Sequence, residues 1–362
     1  MNANTKKLHN SDQSIWLDNI TRDLLDDGTL ERYIKDLSVT GLTSNPTIFE
    51  HAMSNGTAYD EAIKELAAKG FKSEALFFEL ALQDLTRAAD LFRPIFDATK
   101  GVDGWVSLEV SPLLANNTAI TVKVAADLYM RAARPNLFIK IPGTEAGIAA
   151  MEESIFAGVP VNVTLLFSRD QYLAAAHAYM SGIQRRLDVG LDPKVGSVAS
   201  LFVSRWDAAV AKETPLALHN RLGIAVAMHT YHTYLELLAS KNWRKLEDAG
   251  AHPQRLLWAS TGTKDPDARD TLYVEALVAP KTINTMPEKT LLAFADHGQA
   301  GSCLGFGDDV SEKVIEEFRN VSIDDTALAA RLQHEGAESF NKSWLALIAK
   351  IEEKTAAMIK AQ

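Results

Sequence analysis

The chain has a single cysteine, Cys303, among its 362 residues, so no disulfide can close within it. That scarcity points to a reducing compartment, the cytoplasm. Long apolar runs are missing too, which argues against a membrane-spanning helix, and the polar start (MNANTKKLHNSDQS) holds no apolar core of a signal peptide. Positive charge is short: 37 Lys and Arg against 47 Asp and Glu leave a formal charge of −10. A general affinity for nucleic acid or an acidic membrane surface is therefore not expected, although a few local cations could still hold an anionic substrate. No repeat, linker or low-complexity tract divides the chain. What remains is core material, 47% hydrophobic with 23% charged, the composition of a soluble globular protein.

Eight short apolar or β-branched runs, near residues 15, 40, 107, 139, 162, 198, 257 and 283, alternate with stretches of helical spacing. Residues 21–37 read as short helices broken at Gly28, 55–69 and 73–98 as two further helices, and 218–240 as one long one. From Pro287 onward the pattern is helical, ending in an amphipathic helix with Leu328, Leu332, Phe340, Leu347 and Ile351 inward. Eight strands alternating with crossover helices predict an α/β fold, a closed (β/α)8 barrel, with additional helices at both ends. One domain is expected over residues 14–362, preceded by a loose polar tail at 1–13. An open doubly wound sheet would need a glycine-rich phosphate loop after the first strand, and none follows Asp18.

Within the run LFIKIPGT (137–144), Lys140 interrupts residues that read as a strand buried on both faces. An ammonium taken from water without a partner is costly, and the usual relief is a lowered pKa. The resulting neutral amine attacks carbonyls to form a Schiff base. The competing reading is a packed stem whose head reaches solvent at the strand end. Polar residues recur at the C-terminal ends of the other strands, where barrel chemistry sits: Asp18, Thr43-Ser44-Asn45, Glu109, Asn162, Thr164, Ser200, Arg205, and Ser260 to Lys264. Asp18 and Ser44 could each serve only as a cap or turn residue. A lysine, two carboxylates and two further cations converging together point to carbonyl chemistry on an anionic substrate.

Six spaced segments, GLTSNPTIFE (41–50), VSLEVSP (106–112), LFIKIPGT (137–144), VPVNVTLLFS (159–168), VASLFVSRWD (198–207) and WASTGTKD (258–265), together resemble transaldolase. The resemblance implies transfer of a dihydroxyacetone unit from a ketose phosphate, sedoheptulose 7-phosphate or fructose 6-phosphate, to an aldose phosphate, glyceraldehyde 3-phosphate or erythrose 4-phosphate. It implies Lys140 as the Schiff-base lysine, Asp18 as the base of the aldol step, and Glu109 with Thr164 as the holders of a catalytic water. Thr43, Asn45, Asn162 and Ser200 correspond to groups bonded to the sugar, with Phe202 and Ser260 beside them, and Arg205 to the phosphate clamp. Many members carry an arginine where this chain has Gly262, and Lys264 stands in for that charge. No cofactor and no metal are implied, and the partners are sugar phosphates bound by a monomer or homodimer. Two alternatives compete: a fructose-6-phosphate aldolase-like enzyme releasing free dihydroxyacetone, and a non-catalytic sugar-phosphate-binding barrel. The aldolase group has glutamine and tyrosine where this chain has Glu109 and Phe202.

Two weaker signals stand apart. His229, His232 and Glu236 share a helix face at metal-ligand spacing, but away from the strand ends and without a fourth ligand. The glycine run at 298–307 follows no strand and reads as a loop.

Overall fold

A computed structural model describes residues 1–54, 56–301 and 307–360 of the chain. Its eight strands are β1 (Gln13–Asp18), β2 (Val39–Thr43), β3 (Val106–Glu109), β4 (Leu137–Pro142), β5 (Val161–Leu166), β6 (Ser197–Phe202), β7 (Arg255–Ala259) and β8 (Thr282–Met286). They pair in parallel in chain order, and β8 returns to β1 to close the barrel. Every strand residue is buried except Asp18, as expected of strands lined inside and covered by helices outside. All eight apolar runs of the sequence are thus strands, in a (β/α)8 barrel with extra helices. Among the described residues no helix is long and apolar enough to cross a membrane. Cys303, with residues 302–306 of the glycine run, lies outside the described residues.

The N-terminal end of the barrel is plugged by aromatic rings. Trp105 stacks on Phe138 with ring centroids 3.9 Å apart, and Trp16 lies 6.3 Å from the same ring. Gly41 makes room for them, since a Cβ there would sit 2.7 Å from both the Trp16 ring and the Trp105 carbonyl. Beside the rings is a buried polar network. Asp103 accepts from Trp16 Nε1 (2.8 Å) and from Ser14, whose hydroxyl also accepts from Arg255 Nη2 (2.7 Å). Arg255 further donates to the Thr282 and Val102 carbonyls.

Three segments differ from the sequence expectation. The N-terminal tail is not loose: Ala3–Asn10 is a helix, capped by the Asn2 side chain and anchored by fully buried Leu8. The Asn2 and Asn4 amides tie it to the Ala295 carbonyl. Residues 46–69 form two helices, Pro46–Ser54 and Asp60–Ala68, in place of one starting at residue 55. Proline is tolerated at the first helical position, and the Asn45 side chain caps this helix by accepting from Ile48 N (3.1 Å). The long helix expected over 218–240 is Leu222–Ala239, and a separate one, Lys241–Asp248, begins where the Ser240 hydroxyl caps it.

The C-terminal helix Asp325–Lys360 buries the residues expected on its inner face, Leu328, Leu332, Phe340, Leu347 and Ile351. It crosses the C-terminal mouth of the barrel. Gln333 donates to the carbonyls of Gly143 (2.9 Å) and Leu165 (3.0 Å), just past β4 and within β5. Leu165 itself is left-handed (φ +59°), and the β5–β6 register shifts beside it.

Replacing Asp103 tests the floor of the barrel. Asp103→Ala leaves the Arg255 charge buried without its hydroxyl-bridged counterion, and is expected to cost about 3 kcal/mol in urea unfolding. A loss well under ~1 kcal/mol would show that Arg255 is satisfied by carbonyls alone.

Candidate active site

Strand register does the first part of the assembly. Pairing of β3 with β4 sets Glu109 against Lys140, and pairing of β4 with β5 sets Lys140 against Asn162. On the far side, β1 and β2 align Asp18 with Thr43. These side chains occupy one level near the C-terminal rim. The Lys140 side chain is only 6% exposed, yet it has partners: Nζ donates to the Ser44 carbonyl (3.1 Å) and to Glu109 Oε2 (3.3 Å). The premise of an unpartnered lysine is therefore corrected. A buried carboxylate and a carbonyl just past the end of β2 offset its desolvation.

Glu109 is equally buried, and burial pushes its carboxyl above the ordinary range against the pull of Lys140. Its second oxygen, Oε1, has no hydrogen-bond partner within the protein, and neither does the buried Thr164 Oγ1. Asp18 accepts from the Thr43 hydroxyl (3.1 Å), which lies 2.9 Å from the hydroxyl of Thr285. With the Thr43 proton directed at Asp18, Thr285 must donate to Thr43. Asp18 keeps part of its surface at the open mouth, but the protein packed around it still desolvates its carboxyl and raises it as well; Lys140, the Thr43 hydroxyl, Lys264 and Arg205 pull it back in decreasing order.

A second polar chain runs through β3, β5 and β6, beside the lysine strand. Ser200 donates to Asn162 Oδ1 (2.7 Å), and Asn162 Nδ2 donates to Ser107 Oγ (3.1 Å). Arg205 opens the helix Ser204–Val210, and its guanidinium lies 5.2 Å from the Phe202 ring centroid and 6.0 Å from that of Phe340. Burial lowers its pKa, with Asp18 and Glu335 opposing. The Ser260 hydroxyl is 3.0 Å from that of Ser204, and Ser260 takes a left-handed conformation (φ +56°) where the chain turns out of β7.

These groups surround a cavity of about 310 Å³. Asp18, Thr43, Asn45, Lys140, Thr164, Ser200, Phe202, Arg205, Ser260 and Lys264 all line it. Glu109 and Asn162 stand behind its wall, reaching it through Lys140 and Ser200. Gly262 also borders the cavity, with Pro287 against its α-carbon: a Cβ would meet Pro287 Cγ at 3.2 Å.

Sequence reasoning missed four lining residues of consequence: Thr47, His51, Thr285 and Phe340. Thr47 and His51 border the cavity from the unexpected helix that begins at Pro46, His51 at its exposed edge. The run near residue 283, read from the sequence as a strand over 282–284 alone, leaves out Thr285; read through Met286 it places a polar side chain at its rim. Phe340 carried no local signal beyond its place on an apolar stripe. The metal reading finds no support in the geometry of His229, which bonds Asp308 (2.8 Å) and Arg169 (3.0 Å) on the outside of the barrel. Among the described residues no three His, Cys, Asp or Glu side chains are grouped to hold a metal ion.

Comparison with known proteins finds relatives over nearly the whole chain. Residues 15–351 match the family model described as transaldolase/fructose-6-phosphate aldolase. The transaldolase of Arthrobacter sp. (strain FB24) is 42% identical with the whole of both chains covered. That of Saccharopolyspora erythraea is 44% identical over 98% of each chain. The transaldolase of Thiobacillus denitrificans is 42% identical, covering 96% of this chain and 99% of its own.

The raised Asp18 carboxyl carries a stability signature. A carboxyl held more tightly protonated when folded gains stability as pH falls through its folded pKa toward the ordinary value. Asp18→Asn removes that dependence. The variant is expected to melt above the native chain at pH 8, with the advantage shrinking as pH falls into the carboxylate range. A variant that melts lower at pH 8 would mean the surrounding cations more than offset the burial.

Proposed function

The chain belongs to the transaldolase/fructose-6-phosphate aldolase family, and we propose how its barrel mouth performs the family's reaction. The enzyme transfers a ketose-derived unit through a lysine Schiff base. Its donor is fructose 6-phosphate or sedoheptulose 7-phosphate, and its acceptor is erythrose 4-phosphate or glyceraldehyde 3-phosphate. The observation that carries the assignment is a buried lysine 3.3 Å from a buried carboxyl, opening on a cavity whose opposite side holds a second carboxyl.

Lys140 attacks the ketone carbon of the donor. Glu109 takes and returns the protons of carbinolamine formation and loss, through a water shared by its Oε1 and Thr164 Oγ1. Both atoms are buried and without protein partners, as such a role requires. The resulting iminium is the electron sink for cleavage of the bond between the carbon next to it and the hydroxyl-bearing carbon beyond. Asp18 takes the proton of the hydroxyl next to that bond, and a carboxyl raised by burial is a suitable base that can also return it. The aldose phosphate departs, the enamine stays on Lys140, and the acceptor aldehyde is attacked in the reverse of the same steps.

Thr43, Asn45 and Ser200 bond the sugar hydroxyls, with Asn162 orienting Ser200 from behind. Phe202 and Ser260 border the chain of the sugar. Arg205 and Lys264 take the phosphate, the arginine through its planar fork. The glutamate at 109 and the phenylalanine at 202 favour transfer over release of free dihydroxyacetone. A sugar-phosphate sensor would have no use for the Lys140–Glu109–Asp18 set. Residues 14–362 act as one domain, as a monomer or homodimer, in the cytoplasm that a lone cysteine suits.

Borohydride reduction in the presence of fructose 6-phosphate should fix a covalent adduct on Lys140, located by peptide mass spectrometry. An adduct on another lysine, or none, would falsify the mechanism. Lys264→Ala is expected to raise KM for phosphorylated substrates roughly tenfold, the equivalent of ~1.5 kcal/mol for a charged hydrogen bond, while kcat changes little. An unchanged KM would remove Lys264 from the phosphate site.

A further inference from the structure

Among the described residues, the one phenyl ring that reaches the cavity from outside the strands is that of Phe340, on the helix Asp325–Lys360. Four positions of this helix, spaced three or four residues apart, meet the barrel mouth. Gln333 holds the Gly143 and Leu165 carbonyls, and the Ser343 hydroxyl accepts from Thr47 (2.8 Å). Gly336 lets the helix lie close, since a Cβ there would come within 2.9 Å of Leu165 and 3.2 Å of Arg205 Nη1. Phe340 completes the face. Its ring centroid is 5.5 Å from Lys140 Nζ and 6.0 Å from the Arg205 guanidinium carbon, and the residue is 5% exposed.

Phe340 thus lies close to both the amine that carries the fragment and the cation assigned to phosphate. A phenyl ring offers no hydrogen bond to a sugar. What it can do there is occupy space that water would otherwise fill and present its face to a cation. We propose that Phe340 is the residue that keeps water from the lysine-bound fragment, and so commits the enzyme to transfer. This rests on the reading of Lys140 as the Schiff-base residue.

The enamine has two fates. It can attack the acceptor aldehyde, forming the new carbon–carbon bond. Alternatively a proton adds to its carbon to give the iminium, and water adds to the carbon of the C=N bond. The C–N bond then breaks, freeing dihydroxyacetone and the Lys140 amine and returning the proton. The second route consumes one water, so its rate depends on water reaching the imine carbon. The aromatic face beside Nζ favours the cationic iminium of both routes alike, so it is the space the ring fills, and not its charge attraction, that separates them.

The test is the partition of fructose 6-phosphate between fates, in the full-length Phe340→Ala protein. Release of dihydroxyacetone without acceptor is measured against transfer to erythrose 4-phosphate, and borohydride trapping is run on the same samples. The expected result is a rise of at least tenfold in the ratio of release to transfer, with the adduct still on Lys140. Phe340→Leu, the gentler truncation, carries the same expectation at threefold or more should alanine cost the fold. Adduct formation with an unchanged ratio would overturn the inference while leaving Lys140 in place. Failure of the adduct in the native enzyme would instead remove the reading beneath it. A merely structural role for Phe340 lowers both rates together and leaves the ratio where it was.

Discussion

The contact between Lys140 and Glu109 is the constraint on which the rest of the molecule depends. Two opposite charges, each nearly inaccessible, lie 3.3 Å apart inside a barrel. Such a pair is not a source of stability, because removing both ions from water costs as much as their attraction returns. It persists because neighbouring strands hold both residues at one level, and because the Ser44 carbonyl just past the end of β2 supplies a second acceptor for the ammonium. The closed sheet cannot relax around the pair without breaking its own ladder. The aromatic floor at the opposite end, where Trp16, Trp105 and Phe138 meet, fills the barrel below it and leaves no path for collapse.

Around this pair the site is divided by charge. Asp18 feels three cations, yet burial still raises its carboxyl. The Thr43–Thr285 hydroxyl pair can reverse its direction, so Thr43 can donate to an ionised Asp18 or accept from a protonated one. In the proposed reaction Asp18 must give its proton back, which needs surroundings that accommodate both states, and two adjacent hydroxyls provide this without moving the backbone. Arg205 and Lys264 collect the charge at the cavity's other end, where the aromatic faces of Phe202 and Phe340 flank the arginine.

Much of this was readable before any coordinates. The eight strands are short runs whose burial on both faces demands apolar residues at every position, so each polar exception, Lys140 and Asn162 above all, announces itself. The segments that were misread are those whose structure is held by partners distant in sequence. Residues 3–10 look soluble, and Leu8 alone says that they dock. Pro46 looks like the close of a turn until the Asn45 cap makes it the first residue of a helix, which then brings Thr47 and His51 to the cavity. Thr285 was lost to a strand drawn too short, a boundary that the sheet sets through pairing and not through residue preference.

By itself, the sequence determined the eight strands of the barrel, because buried runs repeat along it, while its six spaced segments carried the resemblance to the family, and the roles of Lys140, Asp18 and Glu109 were implied by that resemblance. Only the tertiary structure decided who meets Lys140. That Glu109 neutralises it, that one oxygen of Glu109 and the hydroxyl of Thr164 are left without partners, and that a phenyl ring from the last helix leans over its amine all depend on strand register and helix docking. Local spacing places a side chain on a face. Closure of the barrel, and the helix laid across its mouth, determine what that face sees.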